Sequence, residues 1–196
     1  MRDTQFRLLS PEELERLFHS HMKRDFPPDE LKPLSRLLEL MARGEYEPYG
    51  LFREGELAAY ALYWKAGEDP YVMLDYFAVL PEGRNQGTGS ELLGRMLDQF
   101  CQGGHGVFGE VEIPDTGDEE VDALRRRRLG FYRRAGLREM GYRTQVFGVP
   151  YIVLAYGPDI SDEALMVTHR KLYHSAFPDH IYEKQVFVPL EAEAGL

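Results

Sequence analysis

The stretch FAVLPEGRNQGTGSELL, residues 77–93, decides the reading of the fold. An apolar run leaves through Pro81, crosses a loop holding Gly83, Gly87 and Gly89, and enters a helical pattern at once. A strand that runs into a helix N-terminus gathers free backbone N–H groups at one point, and the helix dipole adds partial positive charge there. Glycine lets the backbone approach an anion with no Cβ between them, and it takes positive φ freely. Arg84 opens the loop, and the Thr88 and Ser90 hydroxyls lie nearby. Together these describe a pyrophosphate cradle, although a plain strand-to-helix turn would carry similar glycines. A P-loop is excluded, because Ser90 and Glu91 stand where it needs Lys and Ser/Thr. The dinucleotide fingerprint G-x-G-x-x-G is excluded by the spacing of the three glycines.

Outward from this loop the chain reads as mixed α/β, with a sheet of about seven strands built from hairpins and a crossover helix. TQFRLLS reads as a first strand. SPEELERLFHSHM carries Ser10 as N-cap, Pro11 at the first helical position and Glu13 closing a capping box. PPDELKPLSRLLELMARG reads as a second helix, capped by Asp29 and stopped by Gly44, with Pro33 near its first turn. YGLFREGELAAYALYW reads as a hairpin turning at Glu54-Gly55, and YVMLDYFAVL as a strand covered on both faces. The helix after the loop ends at Gly103 and Gly104, GVFGEVEIP is the next strand, and DEEVDALRRRRLGFYRRAG is a helix running to Gly136. GYRTQVFGVPYIVLAYG gives two strands broken at residues 148–150. A tail from Pro158 adds a helix capped by Ser161 and, in QVFVPL, an extra strand. The expected division is therefore 1–157 for the main domain and 158–196 for a helical extension, packed on that domain or at a subunit interface.

The 196 residues suffice for one sizeable core, and 43% hydrophobic with 29% charged residues is an ordinary globular balance. No run approaches the ~18 apolar residues of a membrane span, and no signal-peptide pattern is seen, so a cytoplasmic chain is expected. A single cysteine, Cys101, fits a reducing compartment. The net charge of −10 argues against nucleic acid and anionic lipid as partners. His19 and His21 fall on different helix faces, and His169 and His174 are five apart, so no metal is expected.

The loop Arg84-x-x-Gly87-x-Gly89, preceded by AVLPE and followed by SELL, resembles the acyl-CoA motif Q/R-x-x-G-x-G/A of the GNAT N-acetyltransferases. Downstream, LGFYRRAGLRE is similar to the family's lYeklGF segment, and the resemblance spans roughly residues 5–156. It implies the GNAT fold and acetyl-CoA as acyl donor. It implies pantetheine lying between splayed fourth and fifth strands, bonded like a short added strand by backbone groups of Phe77, Ala78, Val79 and Leu80. Pyrophosphate would sit on the loop Arg84, Asn85, Gln86, Gly87, Thr88, Gly89 and Ser90. An N–H near Phe77 or Ala78 would polarise the thioester carbonyl.

The resemblance also implies direct attack of an amine on the thioester in a ternary complex, with no enzyme nucleophile and no role for Cys101. It makes Tyr132 the acid that protonates the leaving thiolate. For the base, Glu110 and Glu112 lie two apart on one strand face, where burial and mutual repulsion are expected to raise at least one pKa. Glu110 aligns with the catalytic glutamate of the ribosomal-protein-acetylating branch, and Asp75 is a rival. Met73 stands where histone-acetylating relatives carry a glutamate. Arg125 stands where many relatives carry a CoA-contacting asparagine. The run Arg125 to Arg128 is read either as a solvated face paired with DEEVD or, through Arg125 or Arg128, as a phosphate or acidic-acceptor contact.

The resemblance implies an acceptor cleft formed by the first two helices, the sixth–seventh strand region and insertions; RDFPPDELKP, which links the first two helices and supplies Phe26, Asp29 and Glu30, is a candidate wall. With the paired glutamates this predicts an acidic cleft and a small cationic amine or a protein N-terminus as acceptor. A non-catalytic acyl-CoA-sensing module is the alternative. Dimers are common in the family, so a homodimer is expected by analogy.

Overall fold

The computed structural model describes residues 3–28, 30–102, 105–157 and 160–190. Asp29, Gly103, Gly104 and Pro158, which the sequence reading used as cap, helix stop and tail start, lie outside them. Eight strands and the helices packed on them make a mixed α/β fold. The chain divides into two compact units, Met1–Trp64 with Leu74–Arg95, and Lys65–Met73 with Met96–Leu196.

The first unit opens with β1 (Thr4–Leu8) and α1 (Pro11–Leu17). The capping box forms as the sequence predicts: Glu13 N–H donates to Ser10 Oγ at 3.2 Å, and Ser10 N–H to Glu13 Oε2 at 2.9 Å. The helix widens into a π-helical stretch at Phe18–Met22 before a last turn, α2 (Lys23–Asp25). The second helix, α3 (Leu34–Ala42), starts later than the sequence suggested, because Pro33 takes the N-cap position with extended ψ of 140°. Proline lacks an N–H and fixes φ, so it serves as the boundary rather than as part of a first turn. β2 (Tyr46–Arg53) and β3 (Glu56–Lys65) form the expected hairpin, with Glu54 and Gly55 both at positive φ. Such a two-residue turn matches the twist of antiparallel strands. β4 (Tyr71–Val79) follows, and the strand order in this unit is β1-β2-β3-β4. Leu14, Leu17 and Met22 of the first helical stretch, Leu37 and Leu40 of α3, and Tyr60, Leu62 and Trp64 of β3 are buried. Each such aliphatic side chain contributes about 2 kcal/mol of burial.

After the glycine loop, α4 (Thr88–Phe100) buries Leu92, Leu93, Met96 and Leu97. The second unit holds β5 (Gly106–Glu112), α5 (Glu119–Arg134), β6 (Arg138–Val146) and β7 (Val149–Tyr156). Its tail forms α6 (Asp162–Ala176), α7 (Asp179–Gln185) and the two-residue β8 (Val186–Phe187). Strand order here is β5-β7-β6-β8, antiparallel throughout. Ser161 caps α6 through Ala164 N–H at 3.2 Å, as its sequence signal indicates, and β8 pairs with β6. The short helix α7 has no side-chain cap and was not apparent in the sequence.

Candidate active site

The loop between β4 and α4 is built in two layers. Its inner layer is closed: Gly83 is buried, and a Cβ there would come within 3.1 Å of the Ala58 carbonyl and 3.2 Å of Thr88 Oγ1. The Thr88 hydroxyl turns inward and donates to the Gly83 carbonyl at 2.7 Å. It therefore braces the loop from within. The outer layer is open. Asn85 and Gly87 take positive φ, 59° and 76°, and a Cβ added at Gly87 meets nothing within 4 Å. The first amide of α4 to bond back is that of Glu91, to the Gly87 carbonyl at 2.9 Å. The amides of Thr88, Gly89 and Ser90 precede it in the turn where a helix has no intrahelical acceptor to offer. An exposed bend with an open glycine and helix-start amides suits a diphosphate.

The strand side of the cradle is partly committed. Leu80 N–H donates to the Ala58 carbonyl at 3.0 Å, and Arg84 Nε to the Val79 carbonyl at 3.1 Å. Those two backbone groups already have partners in this structure. The Gln86 side chain bonds back to the Glu82 carbonyl at 2.8 Å, leaving its backbone as its contribution to the loop.

Asp75, the rival base on β4, is spoken for. Both its oxygens accept from Lys32 Nζ, at 2.8 and 2.7 Å, and Tyr46 Oη also donates to it. The same ammonium lies 4.6 Å from the centre of the Trp64 ring. Burial first, and then Asp75, pushes the Tyr46 phenol well above its ordinary range, so it remains a donor. Lys32 sits in the segment read as an acidic wall. The sequence reading missed it, and it neutralises the carboxylate that the wall faces within this unit. Phe26 packs edge-on against Tyr76 at 4.9 Å, and Glu30 contributes its carbonyl to Tyr76 Oη at 2.7 Å.

Glu110 and Glu112, both on β5, have different surroundings. The Glu110 carboxylate accepts from Thr144 Oγ1 of β6 and from Tyr173 Oη of α6, and His169 Nε2 of α6 lies 3.2 Å from its Oε1. Burial alone would push this carboxyl up; the His169 ring and the Thr144 and Tyr173 hydroxyls outweigh it and hold the group below the ordinary carboxylate range. This reverses the expected upward shift, because the neighbours of Glu110 are donors rather than a second carboxylate. Glu112 is clamped by Arg125 and, at 3.1 Å, by Arg128 Nη1, while Arg125 Nη1 also donates to the Ile113 carbonyl at 2.9 Å. Glu112 is thereby an anchor for α5. Arg125 and Arg128 have a partner that neither reading of the arginine run foresaw, and Arg126 alone of these three pairs within DEEVD, with Glu119.

Tyr132, near the end of α5, has its phenol pushed up to about 12 by burial, opposed by Arg128. At neutral pH it is protonated and able to donate. Cys101 Sγ lies 3.6 Å from the Tyr156 carbonyl, and burial raises its thiol, which makes it a poor nucleophile. Among the described residues no helix is long and apolar enough to cross a membrane.

The sequence profile described as Acetyltransferase (GNAT) family matches residues 14–136, the segment that runs from α1 through the glycine loop to the end of α5. The chain belongs to this family. GNAT acetyltransferases use acetyl-CoA as donor, and the cradle just described falls inside the matched segment. Solved GNAT structures share the fold. A Bacteroides thetaiotaomicron protein described as a GNAT-family acetyltransferase superposes with a TM-score of 0.71 at 22% identity, over 88% of this chain and 98% of the other. The ribosomal-protein-S18-alanine N-acetyltransferase of Escherichia coli gives a TM-score of 0.56 at 18% identity, over 81% and 99%. A mutant of the Vibrio cholerae spermidine N-acetyltransferase gives 0.57 at 13%, over 78% and 92%. No curated protein sequence gives a significant match. Of the residues that this GNAT chain assembles around Glu110, Thr144, His169 and Tyr173 had no sequence signal: they lie 34, 59 and 63 positions away, all three beyond the family match and two of them in the tail.

Proposed function

We propose that this GNAT protein transfers an acetyl group from acetyl-CoA to a primary amine by direct attack. The observation that carries the reading is the open αL glycine, Gly87, at the head of α4 inside the family-matched segment. In this reading the amides of residues 86–90 hold the pyrophosphate, and Phe77, Ala78 and Val79 supply the remaining strand contacts to pantetheine. The amine nitrogen attacks the thioester carbon, the C–S bond breaks, and the nitrogen gives up a proton. Glu110 is the group proposed to take that proton, directly or through water, since it is an ionised carboxylate. Tyr132 is proposed to return a proton to the thiolate, which its protonated state at neutral pH supports. Glu112, clamped by two arginines, and Asp75, held by Lys32, are given supporting rather than proton-accepting roles.

The acceptor proposed is a small cationic amine or a protein N-terminus. The net charge of −10 supports it, and neighbours of this fold include N-acetyltransferases named for spermidine and for ribosomal-protein-S18 alanine. Residues 158–196 are proposed to act as an extension of the catalytic domain. The test is free-thiol release from acetyl-CoA with pooled amines. Wild type is expected to release thiol only with amine present, and Tyr132→Phe to lose about tenfold or more in kcat with its acetyl-CoA affinity kept. A protein that warms in its melting point with acetyl-CoA yet releases no thiol with any amine would instead be an acyl-CoA sensor.

A further inference from the structure

His169 on α6 is wholly buried, an imidazole among the rings of Phe108, Tyr142 and Tyr173. A polar ring in such a place needs a reason beyond packing. Docking α6 does not supply it. Leu165, Met166 and Leu172 already bury the apolar face of the helix. Independent anchors hold its length: Gly141 N–H donates to Asp162 Oδ1 at 2.9 Å, Lys171 Nζ pairs with Asp69 at 3.0 Å, and Arg170 bonds the Pro189 carbonyl. Apolar residues at 169 and 173 would serve a merely docked helix as well or better. Instead His169 and Tyr173, one helical turn apart, both turn to Glu110.

We propose that His169 is a positioning residue for acyl transfer, holding the Glu110 carboxylate in place from the tail helix while Tyr142 holds His169. The inference rests on Glu110 being the base in the reading above. An ionised carboxylate only accepts, so the ring proton belongs on Nε2, 3.2 Å from Glu110 Oε1. The contact is off the line of a well-formed hydrogen bond and acts chiefly through the dipole of the ring N–H. Nδ1 then accepts from Tyr142 Oη at 3.2 Å, which selects that tautomer. The result is a chain Tyr142, His169, Glu110, in which a base is oriented by a second group and that group by a third. Glu110 keeps 7% of its side chain exposed. The polar and titratable groups facing the pair are Tyr142 and Thr144 from β6 and Tyr173 from α6, with Asp162 and Arg170 acting on Tyr142 from further out. The C-terminal extension is on this account part of the catalytic unit.

The experiment compares full-length wild type, His169→Phe and His169→Gln. In His169→Phe the carboxylate loses a group that favours its charged form, so the acid limb of the kcat profile moves to higher pH. Its kcat falls at least about tenfold with KM for acetyl-CoA unchanged. The Gln amide can donate and restores part of both. A folded His169→Phe with an unmoved acid limb, or a Gln variant no better than Phe, overturns the proposal. A second measurement needs no turnover: 15N spectra of the histidine rings. The expected result is an Nε2–H ring for His169 in wild type and loss of that preference in Glu110→Gln. An Nδ1–H ring in wild type overturns the positioning role whether or not any amine is acetylated. A wild type that shows the Nε2–H ring but acetylates nothing sinks the transferase reading and leaves the Glu110–His169 pairing supported.

Discussion

Gly87 and Thr88 are adjacent and do opposite things. Thr88 closes the loop from within, through its hydroxyl on the Gly83 carbonyl, and Gly87 leaves the outside bare. An alanine at 87 would clash with nothing in the protein, but it would hold a positive φ at a cost of about 1 kcal/mol and put a methyl group where a phosphate approaches. Gly87→Ala is therefore expected to lower stability by only about that much while raising the Kd for acetyl-CoA about tenfold or more, read by calorimetric titration. An unchanged Kd would remove the cradle from the argument. Glu110 carries the complementary lesson. Two glutamates two apart on a strand suggested repulsion and a raised pKa. Each has found separate donors instead, so neither shares its charge with the other.

At the scale of elements, the junction of β1 and α1 gathers its interactions on one side chain. Glu13 closes the capping box and also receives Arg7, at 2.8 and 2.7 Å. The Arg7 guanidinium first, and the Ser10 amide next, bring its carboxyl from 4.5 down to about 2. A depressed folded pKa contributes stability that is complete above about 4.5 and is lost as the pH falls toward about 2. The melting point of wild type is thus expected to exceed that of Glu13→Gln at pH 6, with the gap closing by pH 2. The ion pair is partly exposed, so the gap is modest and shrinks with salt. A gap that stayed constant with pH would mean that the carboxylate charge plays no part. The capping signals of α1 and α6 were legible because they are local: a cap and its target lie three residues apart. The start of α3 was misjudged because an upstream acidic residue and Pro33 both offer boundaries, and the proline prevails.

The whole chain carries −10, against which the cationic clusters are local and mostly matched by carboxylates. If the acceptor is a cationic amine, its encounter is helped by that charge. KM for such an amine is then expected to rise severalfold between about 0.05 and about 0.5 M salt, while KM for a neutral-tailed amine changes little. Equal salt dependence for both would argue against a cationic acceptor.

From its residues alone this protein disclosed its family, its strand-to-helix glycine turn and most of its elements, because those are written in short-range spacing, in backbone preference and in alternation of apolar residues. Only the tertiary structure decided the company of each carboxylate. Lys32 reaches Asp75 across 43 positions, Arg125 reaches Glu112 across 13, and His169 reaches Glu110 across 59. Charge pairing acts over a few ångströms in space and carries no period along the chain, so which oxygen is free and which is held emerges only once the strands and helices have brought distant residues together.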